Sequence, residues 1–205
     1  MFIPIGLSGF WSRQNGFTPS FTPTLNTLVA NRLQYNTATQ AVTNPATYRR
    51  QHHAHPSGDI SAIKTIDVNR YLSGVAAGTA GAVHTIKRTI EYPEGVFTPV
   101  LWAGAATVSL GSGATVTSDA VVGLTIPAGA KFWERTVILT TATVPCMQLP
   151  AGANVTAVDD GSQSGDLYNS GTINPGSINT IGANMIIGTV NATAARAFVL
   201  LGDSI

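Results

Sequence analysis

Val83-His84-Thr85-Ile86-Lys87-Arg88-Thr89-Ile90-Glu91-Tyr92 is the stretch that decides the fold class, because in an extended chain it places Val83, Thr85 and Lys87 on one face and His84, Ile86 and Arg88, followed by Ile90 and Tyr92, on the other. Alternate side chains of an extended chain point to opposite faces, so this spacing is typical of a β-strand. The turn sequence Pro93-Glu94-Gly95 comes next, and the apolar residues 96–102 follow it. The pattern therefore predicts two consecutive strands joined by a turn.

Further strand candidates lie on both sides of this stretch and are separated by turns that contain Gly or Pro. Gly111-Ser112-Gly113 and Pro127-Ala128-Gly129 are two of these turns. Strand signals recur about every 8–12 residues, which favours an all-β, jelly-roll-like β-sandwich over βαβ units. The predicted strands are residues 60–68, 83–92, 96–102, 106–110, 114–117, 121–126, 131–140, 185–190 and 197–201.

Residues 1–45 have a different character from the rest of the chain. They are apolar and rich in aromatic residues, Gly and Pro, and neither a period of 2 nor one of 3.6 runs through them. Such a segment buries its aromatic side chains poorly by itself, so we expect an extended N-terminal arm that anchors to another surface. Within it, the spacing of the leucines predicts a short helix over residues 24–33, and the polar residues 36–44 predict a linker. The sandwich domain is then residues 46–195.

Composition limits the kinds of partner that the chain can have. Of its 205 residues, 44% are hydrophobic but only 10% are charged, and the net charge is +1. Because no strong electrostatic field results, nucleic acid and anionic membranes are not expected partners. No apolar run is long enough for a membrane helix, and residues 1–9 lack the basic start of a signal peptide. Low surface charge favours packing against copies of the chain, so we expect a homo-oligomer such as a trimer.

Three groups of polar or reactive side chains are candidate sites. His52, His53 and His55 have a spacing that could bind a transition metal, although a loop that faces solvent or an interface is the favoured interpretation. Asp159, Asp160 and Asp166 lie in a Gly-, Ser- and Asn-rich loop region, residues 154–183, but without the spacing of a calcium loop. The single cysteine, Cys146, is expected to be a small buried hydrophobe. No cofactor is predicted.

Aromatic and acidic residues in the strand candidates suggest carbohydrate chemistry only weakly. Trp102 and Trp133 could stack on sugar rings, but each lies in a predicted strand, which favours core packing. Glu91, Glu94 and Glu134 are carboxylates that a glycosidase could use, yet no spacing indicates that any two of them converge.

The C-terminal residues combine a buried strand with a serine. Phe198-Val199-Leu200-Leu201 is a continuous apolar run, as in a strand of a parallel sheet that is buried on both faces. It leads directly into Gly202-Asp203-Ser204. A short strand that ends at a Gly-flanked serine can present a nucleophile at the edge of a sheet, provided that a base and oxyanion donors lie nearby.

The block Ala197 to Ile205 resembles the first block of SGNH/GDSL hydrolases. In that family the serine is the nucleophile and its backbone N–H lines the oxyanion hole, so the resemblance implies both roles for Ser204. Residues 90–98 and 126–136 also resemble the β-sandwich that precedes the hydrolase in some phage and bacterial proteins of this type. The family's later oxyanion blocks and its Asp-x-x-His pair would lie downstream of Ser204, so the chain as given is not a complete enzyme.

We therefore expect residues 196–205 to be the first strand and nucleophile turn of an α/β hydrolase domain that continues beyond Ile205; the alternative is that the protein ends there. The favoured function is a structural protein of a virion surface, such as a phage fibre, spike or decoration protein, located on the virion or outside the cell. Residues 1–45 would contact other virion proteins, and the parent protein would be an esterase acting on surface polysaccharide. The alternative is an accessory or carbohydrate-binding module of a carbohydrate esterase that is not associated with a virion.

Overall fold

The computed structural model describes residues 27–30, 32, 36–73, 76–148, 159–177 and 179–192. Within these ranges the protein is all-β, and no helix is present. Accordingly, the described residues include no helix long and apolar enough to cross a membrane. The strands are β1 (Thr27–Leu28), β2 (Ala38–Val42), β3 (Ala46–His53), β4 (Asp59–Val68), β5 (Arg70–Ser73), β6 (Ala76–Ala80), β7 (His84–Glu91), β8 (Phe97–Val100), β9 (Val108–Leu110), β10 (Thr115–Thr117), β11 (Val121–Ile126), β12 (Lys131–Ile138), β13 (Ala142–Gln148), β14 (Gly161–Ser164), β15 (Asn179–Thr180) and β16 (Met185–Asn191).

Two larger antiparallel sheets form the framework. In the six-stranded sheet the order is β14-β3-β12-β7-β8, with β9 also paired to β7. In the five-stranded sheet the order is β1-β16-β4-β10, with β11 also paired to β4. A three-stranded sheet, β15-β13-β2, and the pair β5-β6 complete the fold. Several antiparallel sheets around one core make this a β-sandwich-like fold.

The apolar core combines side chains of the two larger sheets. Phe132 and Ile90 of the six-stranded sheet and Ile63 and Ile186 of the five-stranded sheet are completely buried in one hydrophobic cluster. At about 25 cal/mol per Å² of apolar surface, each such side chain stabilises the fold by roughly 1.5–3 kcal/mol. The alternation along each strand directs these residues inward, as the sequence pattern predicts.

The predicted strands that fall on described residues are confirmed, with small changes at their ends. Residues 83–92 form β7, and the turn at Pro93-Glu94-Gly95 connects it to β8. Residues 131–140 form β12, which lies between β3 and β7. The last predicted strand, residues 197–201, lies outside the described residues.

Three predictions about local structure were wrong. Residues 27–30 form β1 and a bridge between Ala30 and Ala54 instead of part of a helix over 24–33. The polar segment 36–44 contains β2, which pairs with β13, so it is not a linker. The histidine-containing segment begins inside β3, not in a loop, and all of β3 from Thr47 to His52 is buried. In each case tertiary pairing supplies backbone partners that local composition does not indicate.

The described end of the predicted arm is part of the sandwich. Val29 and Ala30 are buried in the core. Arg32 forms two hydrogen bonds to the carboxylate of Asp160, at 2.6 and 2.7 Å, and a third to the carbonyl oxygen of Gln51. The first described strand of the sheets therefore begins at Thr27, within the predicted arm, and residues 1–26 lie outside the described residues.

Candidate functional site

Side chains that point inward from the six-stranded sheet form a buried ion-pair network, which we call the inner network: Arg50, His52, Arg88, Glu134 and, from the facing sheet, Asp67. Register places Glu134 opposite both Arg50 of β3 and Ile90 of β7. Glu134 lies 3.7 Å from Arg50 Nη1 and 3.4 Å from Arg88 Nε. Arg88 also donates two hydrogen bonds to Asp67, at 2.7 and 2.8 Å, and so links the two larger sheets.

The backbone of residues 182–183 completes the coordination of Glu134. The N–H of Ala183 donates to both carboxylate oxygens, at 3.0 and 3.1 Å, and Arg50 donates to the carbonyl oxygen of Ala183. This approach requires glycine at position 182, because a Cβ there would overlap the Glu134 carboxylate. The segment between β15 and β16 is therefore shaped to cover a buried charge.

Burial and ion pairing set the protonation states of the inner network. Burial would raise the pKa of Glu134, but Arg88, His52 and Arg50 outweigh it and lower the pKa to about 2. Burial lowers the pKa of Arg50 to about 10, which still leaves it charged at neutral pH. His52 stacks on Phe132 with 5.2 Å between ring centroids, and burial lowers its pKa. With His52 neutral, two guanidiniums balance two carboxylates.

Side chains on the opposite face of the same sheet form a second network, the outer network: Arg49, Glu91, Glu94, Arg135 and Asp159. Glu91 is buried and accepts hydrogen bonds from Arg135 Nε at 2.8 Å, from Arg49 Nε at 3.1 Å and from the N–H of Gly95 at 3.0 Å. Burial would raise the pKa of Glu91, but these donors outweigh it and lower the pKa. Arg49 also contacts Asp159 at 3.2 Å and Glu94 at 2.7 Å.

Aromatic rings and a loop enclose part of the outer network. The Arg49 guanidinium lies 4.3 Å from the centre of the Trp133 ring, and that of Arg135 lies 4.5 Å from the centre of the Phe97 ring. Such cation–π contacts add about 0.5–2 kcal/mol each when they are shielded from solvent. Arg135 Nη1 also donates to the carbonyl oxygens of Leu167, Ser170 and Gly171. The loop after β14 is thereby held against the sheet.

An open groove of about 340 Å³ adjoins the outer network. It is lined by Arg49, Glu91, Phe97 and Arg135 of the sheet and by residues 94–95 and 171–173 of the adjoining loops. The side chain of Glu94 is 67% exposed at the rim. Since Glu91 and Glu134 are ionised and held by arginines, neither is suited to act as a general acid near neutral pH. The groove is therefore a candidate binding site.

The predicted metal candidates do not come together. His52 points to the inner face, His53 bonds Gln51 within the sheet, and His55 accepts the N–H of Ser57. Among the aspartates, Asp159 accepts from Trp133 and Arg49, Asp160 from Arg32, and Asp166 from Lys87. Across the described ranges, no group of three or more His, Cys, Asp or Glu side chains is arranged to hold a metal ion.

The tryptophans and the cysteine are buried, as the core-packing interpretation predicts. Trp102 is 6% exposed, Trp133 is 7% exposed, and Cys146 is fully buried. Burial raises the pKa of the Cys146 thiol to about 11, so the thiolate form is disfavoured. Trp133 cannot serve as a sugar-stacking platform in this arrangement, because its side chain is buried and the Arg49 guanidinium lies over its ring. Ser204, the predicted nucleophile, lies outside the described residues.

Sequence reasoning missed the arginines as structural residues. The adjacent pairs Arg49-Arg50 and Glu134-Arg135 place one charge on each face of an extended strand. The chain has only 11 Lys and Arg and 10 Asp and Glu residues. Two adjacent charged pairs are therefore a signal that sequence reasoning could have used, and their strands are neighbours in the structure. Of the three glutamates, Glu91 and Glu94 do converge, on Arg49, whereas Glu134 lies on the opposite face.

Comparison of the chain with protein-family models finds no match, and comparison with curated proteins finds no significant match. The resemblance of the C-terminal block to SGNH/GDSL hydrolases therefore stays a prediction from its residues.

Proposed function

We propose that this chain is a structural component of a virion surface: the anchoring and sandwich part of a phage fibre, spike or decoration-like protein that also carries an SGNH-type esterase domain. The observation that carries the proposal is the pair of ion-pair networks that lock the six-stranded sheet on both faces. A sheet held in this way is suited to a rigid scaffold, since separating its strands would leave buried charges unpaired.

The order of strands supports a jelly-roll-like arrangement. The chain alternates between the two larger sheets as it passes from β3 to β4, then to β7, and later from β11 to β12. Strands that are far apart in sequence become neighbours by this route, as in double-sheet jelly rolls.

The position of the last described strand supports a domain border near the C-terminus. β16 lies inside the five-stranded sheet and ends at Asn191, a few residues before the apolar run 198–201. Under this proposal residues 196–205 start the hydrolase domain, and Ser204 acts in a parent protein that supplies the base and the remaining oxyanion donors.

Incorporation into particles tests the structural role. Deleting residues 1–26 removes more than half of the proposed anchor, residues 1–45, and touches none of the described strands, whereas Thr125→Ala changes only an exposed position of β11 and is the control. We expect the deletion to abolish incorporation and the control to leave it unchanged. Normal incorporation of a folded deletion variant would contradict the anchoring role.

The esterase proposal has a separate test. The parent protein should release acetate from an acetyl-ester substrate, and Ser204→Ala should lower this activity by at least about a hundredfold, the scale expected when a nucleophile is lost. Equal activity of the two proteins would remove Ser204 from the mechanism.

A second candidate function, an accessory carbohydrate-binding module outside any virion, is favoured by one observation, the groove beside the outer network. Binding of glycans by a protein that never enters particles would distinguish it from the virion role.

A further inference from the structure

The groove beside the outer network has two sides that are already fixed. On one side Glu91 Oε1 accepts the N–H of Gly95, which has a φ of +83° and therefore favours glycine. On the other side Arg135 binds three carbonyl oxygens of residues 167–171, at 2.9 to 3.1 Å. A ligand would find the groove formed in advance and would not have to order it, which favours affinity.

The side chains that line the groove differ in how far they are exposed to a ligand. Phe97 lines the groove, and its ring is only partly buried even though the Arg135 guanidinium lies over one face of it. Glu94 presents a carboxylate that is 67% exposed and oriented by Arg49, and the side chain of Thr172 is exposed beside it. An aromatic ring can pack against the C–H face of a sugar, while a carboxylate and a hydroxyl can bond sugar hydroxyls.

The charge of the groove disfavours an anionic ligand. Two guanidiniums, Arg49 and Arg135, line the groove together with two carboxylates, Glu91 and Glu94, and Arg49 also bonds Asp159 behind them. The guanidinium donors are directed at those carboxylates and at backbone carbonyls. An acidic sugar would therefore meet no excess positive charge, whereas neutral hydroxyls can donate to the exposed oxygen of Glu94.

We propose that this groove binds a neutral oligosaccharide, with one sugar ring against Phe97 and its hydroxyls bonded to Glu94 and Thr172. The volume of about 340 Å³ is near the lower end of ligand sites, roughly 300–1,000 Å³, and suits a short segment of a glycan. The inference specifies the polysaccharide contact of either role proposed above, and it does not require that the protein be displayed on a virion.

A glycan array probed with the whole chain tests the ligand class. The array contains neutral hexose and N-acetylhexosamine oligosaccharides beside uronic-acid and sialylated ones. We expect binding among the neutral members. Binding confined to acidic members, or no binding at all, would overturn the proposal.

Calorimetric titration of the strongest neutral ligand then tests the site. Glu94→Gln and Phe97→Leu should each weaken binding about tenfold or more, and Thr172→Ala about threefold, since each removes one contact. The matched control Thr125→Ala, on the other sheet, should bind as the unaltered protein does. Unchanged affinity in Glu94→Gln and Phe97→Leu would place the ligand elsewhere and overturn the proposal.

A further variant controls for the loss of folding. If Phe97→Leu unfolds because it loses the contact with Arg135, Phe97→Tyr keeps the ring and should bind within about threefold of the unaltered protein. Glu94 is exposed, so Glu94→Gln should leave the melting temperature nearly unchanged. Failure in these experiments would leave the particle-incorporation test unaffected, so the two proposals can fail independently.

Discussion

The two faces of the six-stranded sheet both hold arginine–glutamate networks, but different structures cover them. The inner network lies between the two larger sheets, and its Glu134 is completely buried. The outer network is covered by aromatic rings and by one loop, and it ends in an open groove where Glu94 is mostly exposed. The same kind of pair therefore serves two purposes. An arginine–glutamate pair that is buried between the sheets links strands. A pair near the surface orients an exposed side chain such as Glu94.

Neutralising Glu134 is the strongest test of the difference between the two networks. Glu134→Gln leaves Arg50 and Arg88 without their shared carboxylate in the interior, and breaking a buried pair costs about 3–5 kcal/mol. Chemical denaturation should show this loss in the free energy of unfolding. Glu94→Gln, the matched change on the outer network, should cost less than about 1 kcal/mol. Equal losses in the two variants would contradict the proposed difference between the faces.

Acid should weaken the inner network over a defined pH range. The pKa of Glu134 is lowered from its ordinary value of 4.5 to about 2 in the folded protein, so its contribution to stability is complete above pH 4.5 and is lost as the pH falls toward 2. The loss amounts to roughly 3 kcal/mol. The lowered pKa of His52 acts in the same direction below pH 6.5, because the unfolded chain takes up that proton more readily.

Urea unfolding between pH 7 and pH 2 measures this effect. The stability difference between the unaltered protein and Glu134→Gln should shrink as the pH falls below 4.5. A difference that stays constant down to pH 2 would show that Glu134 is not held ionised in the folded state.

Arg135→Lys sharpens the comparison on the outer face. Lysine keeps the charge but has no planar fork, so it cannot bind Glu91 and three carbonyl oxygens at once. We expect a loss of about 2 kcal/mol in the free energy of unfolding. Amide hydrogen exchange should increase mainly at residues 167–171, while β4 and β16 stay protected. Uniform loss of protection would mean that the outer network also holds the whole sandwich.

The smallest expected effect is a difference in stability between variants of the two buried tryptophans. Trp133→Phe removes the 2.9 Å hydrogen bond from Nε1 to Asp159 and should cost about 1 kcal/mol. Trp102 Nε1 is buried without a hydrogen-bond partner among the described residues, so Trp102→Phe loses no such bond and should cost less. Thermal unfolding of both variants provides the comparison. A larger loss for Trp102→Phe would show that ring packing, not the hydrogen bond, dominates.

Prediction from sequence succeeded where apolar periodicity was present and failed where it was not. β7, β11, β12 and β16 carry β-branched or apolar residues between turn signals, so their existence was predictable. β3 has the sequence ATYRRQHH, which does not indicate a buried strand, although it lies inside the six-stranded sheet. Its arginines are buried because charges on β7, on β12 and just before β14 neutralise them. That neutralisation depends on register, which no local pattern contains.

The sequence by itself determined the all-β class and the positions of eight of the sixteen described strands, since both follow from β-branched and apolar runs and from turns that contain Gly or Pro. It also determined the low charge that makes each ion pair conspicuous. Only the tertiary structure decided which charges meet. Arg88 and Asp67 lie on different sheets, Glu134 is enclosed by residues 182–183, and Arg49 brings Glu91 and Glu94 together. The physical reason is that the strength of an ion pair depends on the distance between the charges, within a few ångströms, and on their burial. Both are set only when strands that are distant in sequence lie side by side.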